Sequence, residues 1–275
     1  MFSSNAFAAV SGSLPAGFMQ WYVGLMIVAV IVGTVADMIH KGSAKYFFAN
    51  ARKTRAQGKP VNKASIAVKT VAVDVLASGE FCNPRRRVAH LLTMYGFILY
   101  VVTTALMVFV YPTAATPTPA LVPQLWWLGG LMVMVGGYWF WFFIRVDVAA
   151  EGSSPLRLMR ADLFILSMLA SVTAGLLWAW LQASGSAASW VFFGLYLLAT
   201  TVLFGGVYWS KFAHMFFKPA AAFDKRLAEA DGTNMNLPTV GRDDPAQRER
   251  HSMELLRDAP MDMGLGIKRE APRHY

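Results

Sequence analysis

Residues 85–111 read RRRVAHLLTMYGFILYVVTTALMVFVY. Three arginines lead, after Val88 and Ala89, into His90, and no charged side chain follows before Pro112. An α-helix rises about 1.5 Å per residue, so roughly 20 apolar residues cross the hydrocarbon core of a bilayer. A run of this kind behind a charged flank allows few folds. It predicts a spanning helix whose arginine end stays at the water boundary. Four more apolar runs, 19–38, 125–144, 163–181 and 190–217, have spanning length, with Asp37 near the end of the first. The pattern predicts an all-α integral membrane bundle of five transmembrane helices. The last run, roughly 28 residues, is long for one crossing and is expected to tilt or project. Composition agrees: 15% of residues are charged, against about 25% in a soluble domain.

The charges also set an orientation. Residues 1–18, 112–124 and 183–189 hold no Lys, Arg, Asp or Glu, and all 25 Lys and Arg lie in 41–87, 145–160 and 211–275. By the positive-inside rule the N-terminus is outside and the C-terminus cytoplasmic. The expected division is an external N-terminus (1–18), a membrane domain (19–217) with a cytoplasmic loop (41–87), and a cytoplasmic tail (218–275). The net charge of +9 is then topological and meets anionic lipid rather than nucleic acid. Residues 1–18 lack a basic n-region and do not read as a cleaved signal peptide. The single cysteine, Cys82, excludes an intrachain disulfide. It reads as structural despite its cationic neighbours.

In the loop, 44–57 is basic around Tyr46, Phe47 and Phe48, which suits a helix on the membrane surface. Val68, Val71 and Val75 have helical spacing and predict a second short helix that packs by that stripe. The tail holds equal numbers of acidic and basic residues. Asp244-Pro245 is a fitting helix start. The tail reads either as disordered or as a strap that orders on a soluble partner.

Three of the five histidines share one depth. His40 ends the first run, His90 opens the second, and His214 closes the fifth, each next to cationic residues. For any one of them an interfacial position is the default. The outer helix ends, however, carry no histidine, and runs two and five are antiparallel, so His90 and His214 can face one another. Two neutral imidazoles on opposite sides of a planar ring suit a six-coordinate haem iron. Arg85, Arg86, Arg87 and Lys211 lie about a turn outward, placed to pair with haem propionates. Zinc would need a denser ligand cluster than these runs offer.

The local sequence adds a resemblance. Asp74-Val75-Leu76, Pro84–Arg87, His90 and Tyr95-Gly96-Phe97 resemble the second span of nitrate reductase gamma-subunit-like cytochromes b. The segment Trp209–Pro219, with His214 at its centre, resembles the closing histidine motif of that family. Within the family, the chain is similar to the membrane anchors of dissimilatory adenylylsulfate reductase, and to membrane subunits of quinone-interacting and heterodisulfide-type complexes. The resemblance covers residues 19–219. It implies that His90 and His214 ligate the haem b nearest the cytoplasm, in a bacterial cytoplasmic (inner) membrane. It implies electron transfer between quinone and the alpha and beta subunits of a cytoplasmic oxidoreductase docked on 41–89 and the tail. Two-haem members carry a further histidine pair deeper in spans two and five. Here those positions hold Tyr100 and Tyr196, so the outer haem is expected to be absent. His40 has no family role; it bounds a quinone pocket, replaces a ligand, or sits at the interface, the last being preferred.

The pairs Gly129-Gly130, Gly136-Gly137 and Gly205-Gly206 are expected to serve close helix packing. Gly96, Gly205 and Gly206 are alternatively room for a macrocycle. Asp37, Asp147 and Asp162 are expected to be solvated at helix ends, one of them alternatively a proton relay. Nothing in the sequence supplies catalytic sulfur chemistry. Two rival functions stand beside electron transfer. One is a haem-free structural anchor; the other is a small transporter, disfavoured because no charge lies in the middle of any span.

Overall fold

The computed structural model describes residues 2–42, 45, 49, 59–79, 81, 83–147, 152–210, 212 and 214–232, with the side chains of Ala16, Lys41, His214 and Phe216 outside that description. Among the described residues every regular element is helical. Four helices are long and apolar enough to cross a membrane: Gly17–His40, Pro84–Val110, Leu121–Ile144 and Arg160–Ala183.

In chain order, α1 (Ala6–Val10) is a short plug, and α2 (Ala16–Lys41) is the first long helix. Next, α3 (Lys63–Lys69) runs on as π-helical turns over Thr70–Leu76. α4 (Pro84–Ala105) continues as Leu106–Val110, and α5 (Leu121–Trp139) as Phe140–Ile144. α6 (Leu163–Ala183), α7 (Ser189–Gly205) and α8 (His214–Asp231) follow among the described residues.

Local chemistry explains the ends. Asn83 caps α4, its side chain accepting from the N–H of Arg85 (2.9 Å) and Arg86 (3.3 Å), with Pro84 in the first turn where no N–H is needed. Gly42 closes α2 at φ 61°, a left-handed conformation that costs glycine little. Asn5 caps α1 and also donates to Tyr111 O (2.9 Å) and Thr118 Oγ1 (3.0 Å), tying the chain start to the turn after α4.

The apolar run 190–217 is not one helix. It stops at Gly205, turns through 206–210, and restarts at His214. Two successive glycines each cost a helix about 1 kcal/mol relative to alanine. The Gly206 N–H folds back to Val202 O at 2.9 Å and the Ser210 N–H to Gly206 O at 2.9 Å. α7 keeps 17 residues, at the short end of what crosses a bilayer core.

Glycines set the closest packing. A Cβ on Gly96 would lie 2.7 Å from Gly129 O; one on Gly129, 2.8 Å from Gly96 O; one on Gly136, 2.6 Å from Ala89 O. α4 and α5 therefore touch backbone to backbone, and Gly96 is used for that contact rather than for ligand space. Gly130 and Gly137 face Leu176 and Leu169 of α6. α6 meets α7 through Ser171 and Thr200, 2.7 Å apart. α2 leans on α7, where the Tyr22 hydroxyl donates to Leu197 O at 2.8 Å. The opposite face of α2 is peripheral, with Trp21, Leu25, Val28 and Val32 exposed.

Candidate functional site

The site is built where α4 begins. Residues 76–78 double back along this helix and are held at three points. Arg87 Nε donates to Ala77 O (2.8 Å), Tyr95 Oη donates to Leu76 O (2.7 Å), and Ser78 Oγ lies 3.0 Å from His90 Nδ1. Ser78 sits at φ 49°, rare for a residue with a Cβ, at the corner where the chain reverses. The Gly79 N–H closes that corner on Val73 O at 2.8 Å. His90 is half-buried, with the Phe81 ring 4.8 Å from its own, centroid to centroid.

The same phenylalanine connects to α8. Lys218 Nζ lies 5.3 Å from the Phe81 centroid. Lys218 lies about one turn after His214, the first residue of α8. The backbone thus brings the start of α8, with His214, to the end of the bundle where His90 lies. His40 reaches the same end: it is exposed, its ring 5.7 Å from that of Tyr208 in the turn before α8. Arg85 is exposed, and Arg86 lies over Phe81 (5.7 Å) and Phe140 (5.9 Å). Arg87 is engaged by the 76–78 corner. Lys211, Cys82, the tail beyond 232, and 44–57 apart from Lys45 and Ala49 lie outside the described residues.

The opposite half of the bundle is filled with aromatics. Tyr100 stacks on Trp126 (4.9 Å, 24°) and Tyr196 on Trp178 (5.6 Å, 19°), and Phe7 of α1 closes against Trp178 at 5.1 Å. Gly175 admits the pair: a Cβ there would lie 3.0 Å from the Tyr196 ring and against the Tyr100 hydroxyl.

Three features differ from sequence expectation. Asp37 and Asp162 are buried rather than solvated at helix ends. Asp162 accepts from Arg145 Nη2 at 2.6 Å, and Arg145, fully buried, also donates to Ser154 O and Arg157 O at 2.8 Å each. The stripe Val68, Val71 and Val75 does not pack as one face; Val68 and Val71 are exposed and Val75 is half-buried, while Thr70 and Asp74 face the protein.

Asp74 is gripped by Arg226 of α8. Arg226 Nη2 donates to Oδ1 at 2.8 Å, and Nε donates to Oδ2. These bonds hold the Asp74 carboxyl below the ordinary carboxylate range. A depressed pKa contributes stability that is complete above the unfolded value and is lost as pH falls through the folded one. The clamp is therefore intact at neutral and mildly acidic pH and opens only below about pH 4. Asp74→Asn removes the charge at every pH. It is expected to loosen α8 by about 1–2 kcal/mol, seen as faster amide exchange over residues 214–232 at pH 7. Unchanged exchange would mean that the clamp does not hold α8.

Ser78 and Arg226 carry no signal in a one-dimensional reading, because each matters only through a partner the fold supplies. The chain matches no protein-family model, and neither the curated proteins nor the solved structures contain a significant match to it.

Proposed function

We propose that the chain is a membrane anchor and electron-transfer subunit, linking a cytoplasmic oxidoreductase to the quinone pool through one haem b held by His90 and His214. The observation that carries this reading is the setting of His90. Ser78 Oγ lies 3.0 Å from His90 Nδ1; in the tautomer in which Nδ1–H donates to that hydroxyl, Nε2 keeps its lone pair, the arrangement that orients a histidine as a metal ligand. His214 opens α8 at the same end, four residues before the Lys218 that reaches Phe81. The donor set, two imidazoles beside a cationic flank, fits haem b. The bound haem would supply a one-electron carrier near the membrane surface. The chain's own part is to hold and orient it. Ser78 holds the His90 ring in place through Nδ1; Arg85, Arg86, Arg87 and Lys211 would offer charge to the propionates, Arg87 with Nε already given to Ala77.

In this reading α2, α4, α5, α6 and α7 are the five spans, the N-terminus is outside and the membrane is the bacterial cytoplasmic one. The aromatic packing around Tyr100 and Tyr196 supports a single haem at the inner end. The soluble partner, by resemblance adenylylsulfate reductase, docks on 41–89 and the tail, and His40 borders the quinone or the interface. The second reading is a haem-free anchor of the same enzyme. It is favoured by the Phe81 ring against His90, which already gives that imidazole a packed place.

A dithionite-reduced minus oxidised spectrum of the detergent-purified protein, with haem quantified per chain, separates the two. One b-type haem per chain is expected. His90→Ala and His214→Ala should abolish it and His40→Ala should not. Absence of haem from folded protein made with ample haem would leave the structural anchor, and loss of haem in His40→Ala would overturn the ligand pair.

A further inference from the structure

The segment 63–78 is inside out for a helix in water. Its face toward the protein carries polar groups, Thr70 at 2% exposed and Asp74 bound by Arg226, beside the half-buried Ile66 and Val75. Its outward face is apolar: Val68 is 70%, Val71 50% and Leu76 49% exposed. A surface helix in water turns its apolar stripe inward and its polar face to solvent. The reverse is expected where the medium outside the protein is hydrocarbon.

The depth of the segment points the same way. Leu76 O is bonded by Tyr95, five residues beyond His90 and inside the uncharged part of α4. Tyr95 shares a face of α4 with Ile98 and Val102, at spacings of three and seven, and all three are exposed. The Leu76 end of the segment thus lies against the outer apolar flank of a helix long enough to cross a membrane. Lys63 at the other end and Lys69 midway along the segment are exposed, and so is Arg85 at the start of α4. Long cationic side chains there can keep their heads among anionic headgroups while the stems lie along apolar surface.

We infer that α3 and its π-helical extension are a half-sunk interfacial helix, descending from headgroup level at Lys63 so that Val68, Val71 and Leu76 rest against the acyl chains of the leaflet. The loop before α4 is then a membrane-seated element, and it holds the Ser78 corner against His90 at that depth. The inference rests on the reading of α4 as a span.

The test is spin-label accessibility of the full chain in vesicles of phosphatidylethanolamine and phosphatidylglycerol. Single cysteines are placed by Val68→Cys, Val71→Cys and Leu76→Cys in a Cys82→Ser background. All three sites are exposed, so the fold should tolerate a label. Lys63→Cys serves as the water reference and Ile98→Cys as the lipid reference. Labels at 68, 71 and 76 should show a several-fold higher ratio of oxygen to nickel-chelate collisions than the label at 63, approaching that at 98. Nickel-chelate dominance at 68 and 71, with 98 still lipid-like, would overturn the inference and leave the span intact. Shielding from both reagents would overturn it too, since protein would then cover the stripe. A water-like label at 98 would sink the span itself.

Discussion

Gly129→Leu is expected to lower the thermal unfolding midpoint of the detergent-solubilised protein by roughly 10 °C, from a loss of about 3 kcal/mol or more. A Cβ at position 129 would lie 2.8 Å from Gly96 O and 2.8 Å from the backbone nitrogen of Tyr100. Both are backbone atoms of α4, so no rotamer change can relieve the contact and the helices must separate. Between spanning helices there is little hydrophobic drive to compensate, because lipid tails are as apolar as leucine; packing at short range is the main attraction. Separation would also disturb the bond from Trp126 Nε1 to Thr104 Oγ1 (2.9 Å), which crosses the same pair of helices. Gly194→Leu is the control. No atom lies within 4 Å of a Cβ there, and the midpoint should stay put or rise slightly as a helical glycine is removed. Equal midpoints for Gly129→Leu and wild type would show that α4 and α5 are not in backbone contact.

Arg145→Met should cost about 3–5 kcal/mol. The guanidinium is fully buried, lies 4.0 Å from the centroid of Trp141, and bonds Ser154 O, Arg157 O and Asp162. Its removal leaves the Asp162 carboxylate, 11% exposed, with the Met159 N–H at 2.9 Å but without its counter-charge. Removing one partner of a buried pair is worse than removing both, so Arg145→Met with Asp162→Leu should recover part of the loss. Unfolding free energies of the two single variants and the double variant complete the cycle. Simple additivity would rule out the coupling. The same staple shapes the turn that presents Leu156 and Leu158, exposed at 90% and 66%. Proteolysis near residue 157 is therefore expected to quicken in Arg145→Met.

Much of the fold is legible in the amino-acid order because hydropathy reports the medium around a helix. The runs 88–111, 125–144 and 163–181 all lie in helices long enough to span, and the helical spacing within 63–76 marks a helix. The choice of packing face cannot be read the same way. Val68 and Val71 recur at helical intervals in either setting, and periodicity does not say whether the apolar side meets protein or lipid. The break at Gly205-Gly206 is hidden by the apolar residues on both sides of it. α1 escapes a sequence reading because a five-residue helix has no periodicity to detect, and its stability comes from Asn5 and Phe7 finding partners over a hundred residues away.

The candidate site divides along the same line. That His40, His90 and His214 lie at one end of the bundle follows from the charges next to them, since lysine and arginine hold helix ends at the water boundary whatever the packing. The partner of each is a tertiary matter. Ser78 reaches His90 only because Arg87 and Tyr95 fold residues 76–78 back along α4, and Lys218 reaches Phe81 only because the chain turns between α7 and α8. In the sequence Tyr100 and Tyr196 are two tyrosines within uncharged apolar runs. Their stacking on Trp126 and Trp178, admitted by the missing side chain of Gly175, was decided by helix packing. Sequence alone determined which segments are long apolar helices and where charge flanks them, because hydropathy is a one-body property of side chains. Tertiary structure alone decided the pairs, because a hydrogen bond or a backbone contact needs a second residue at a distance of about 3 Å.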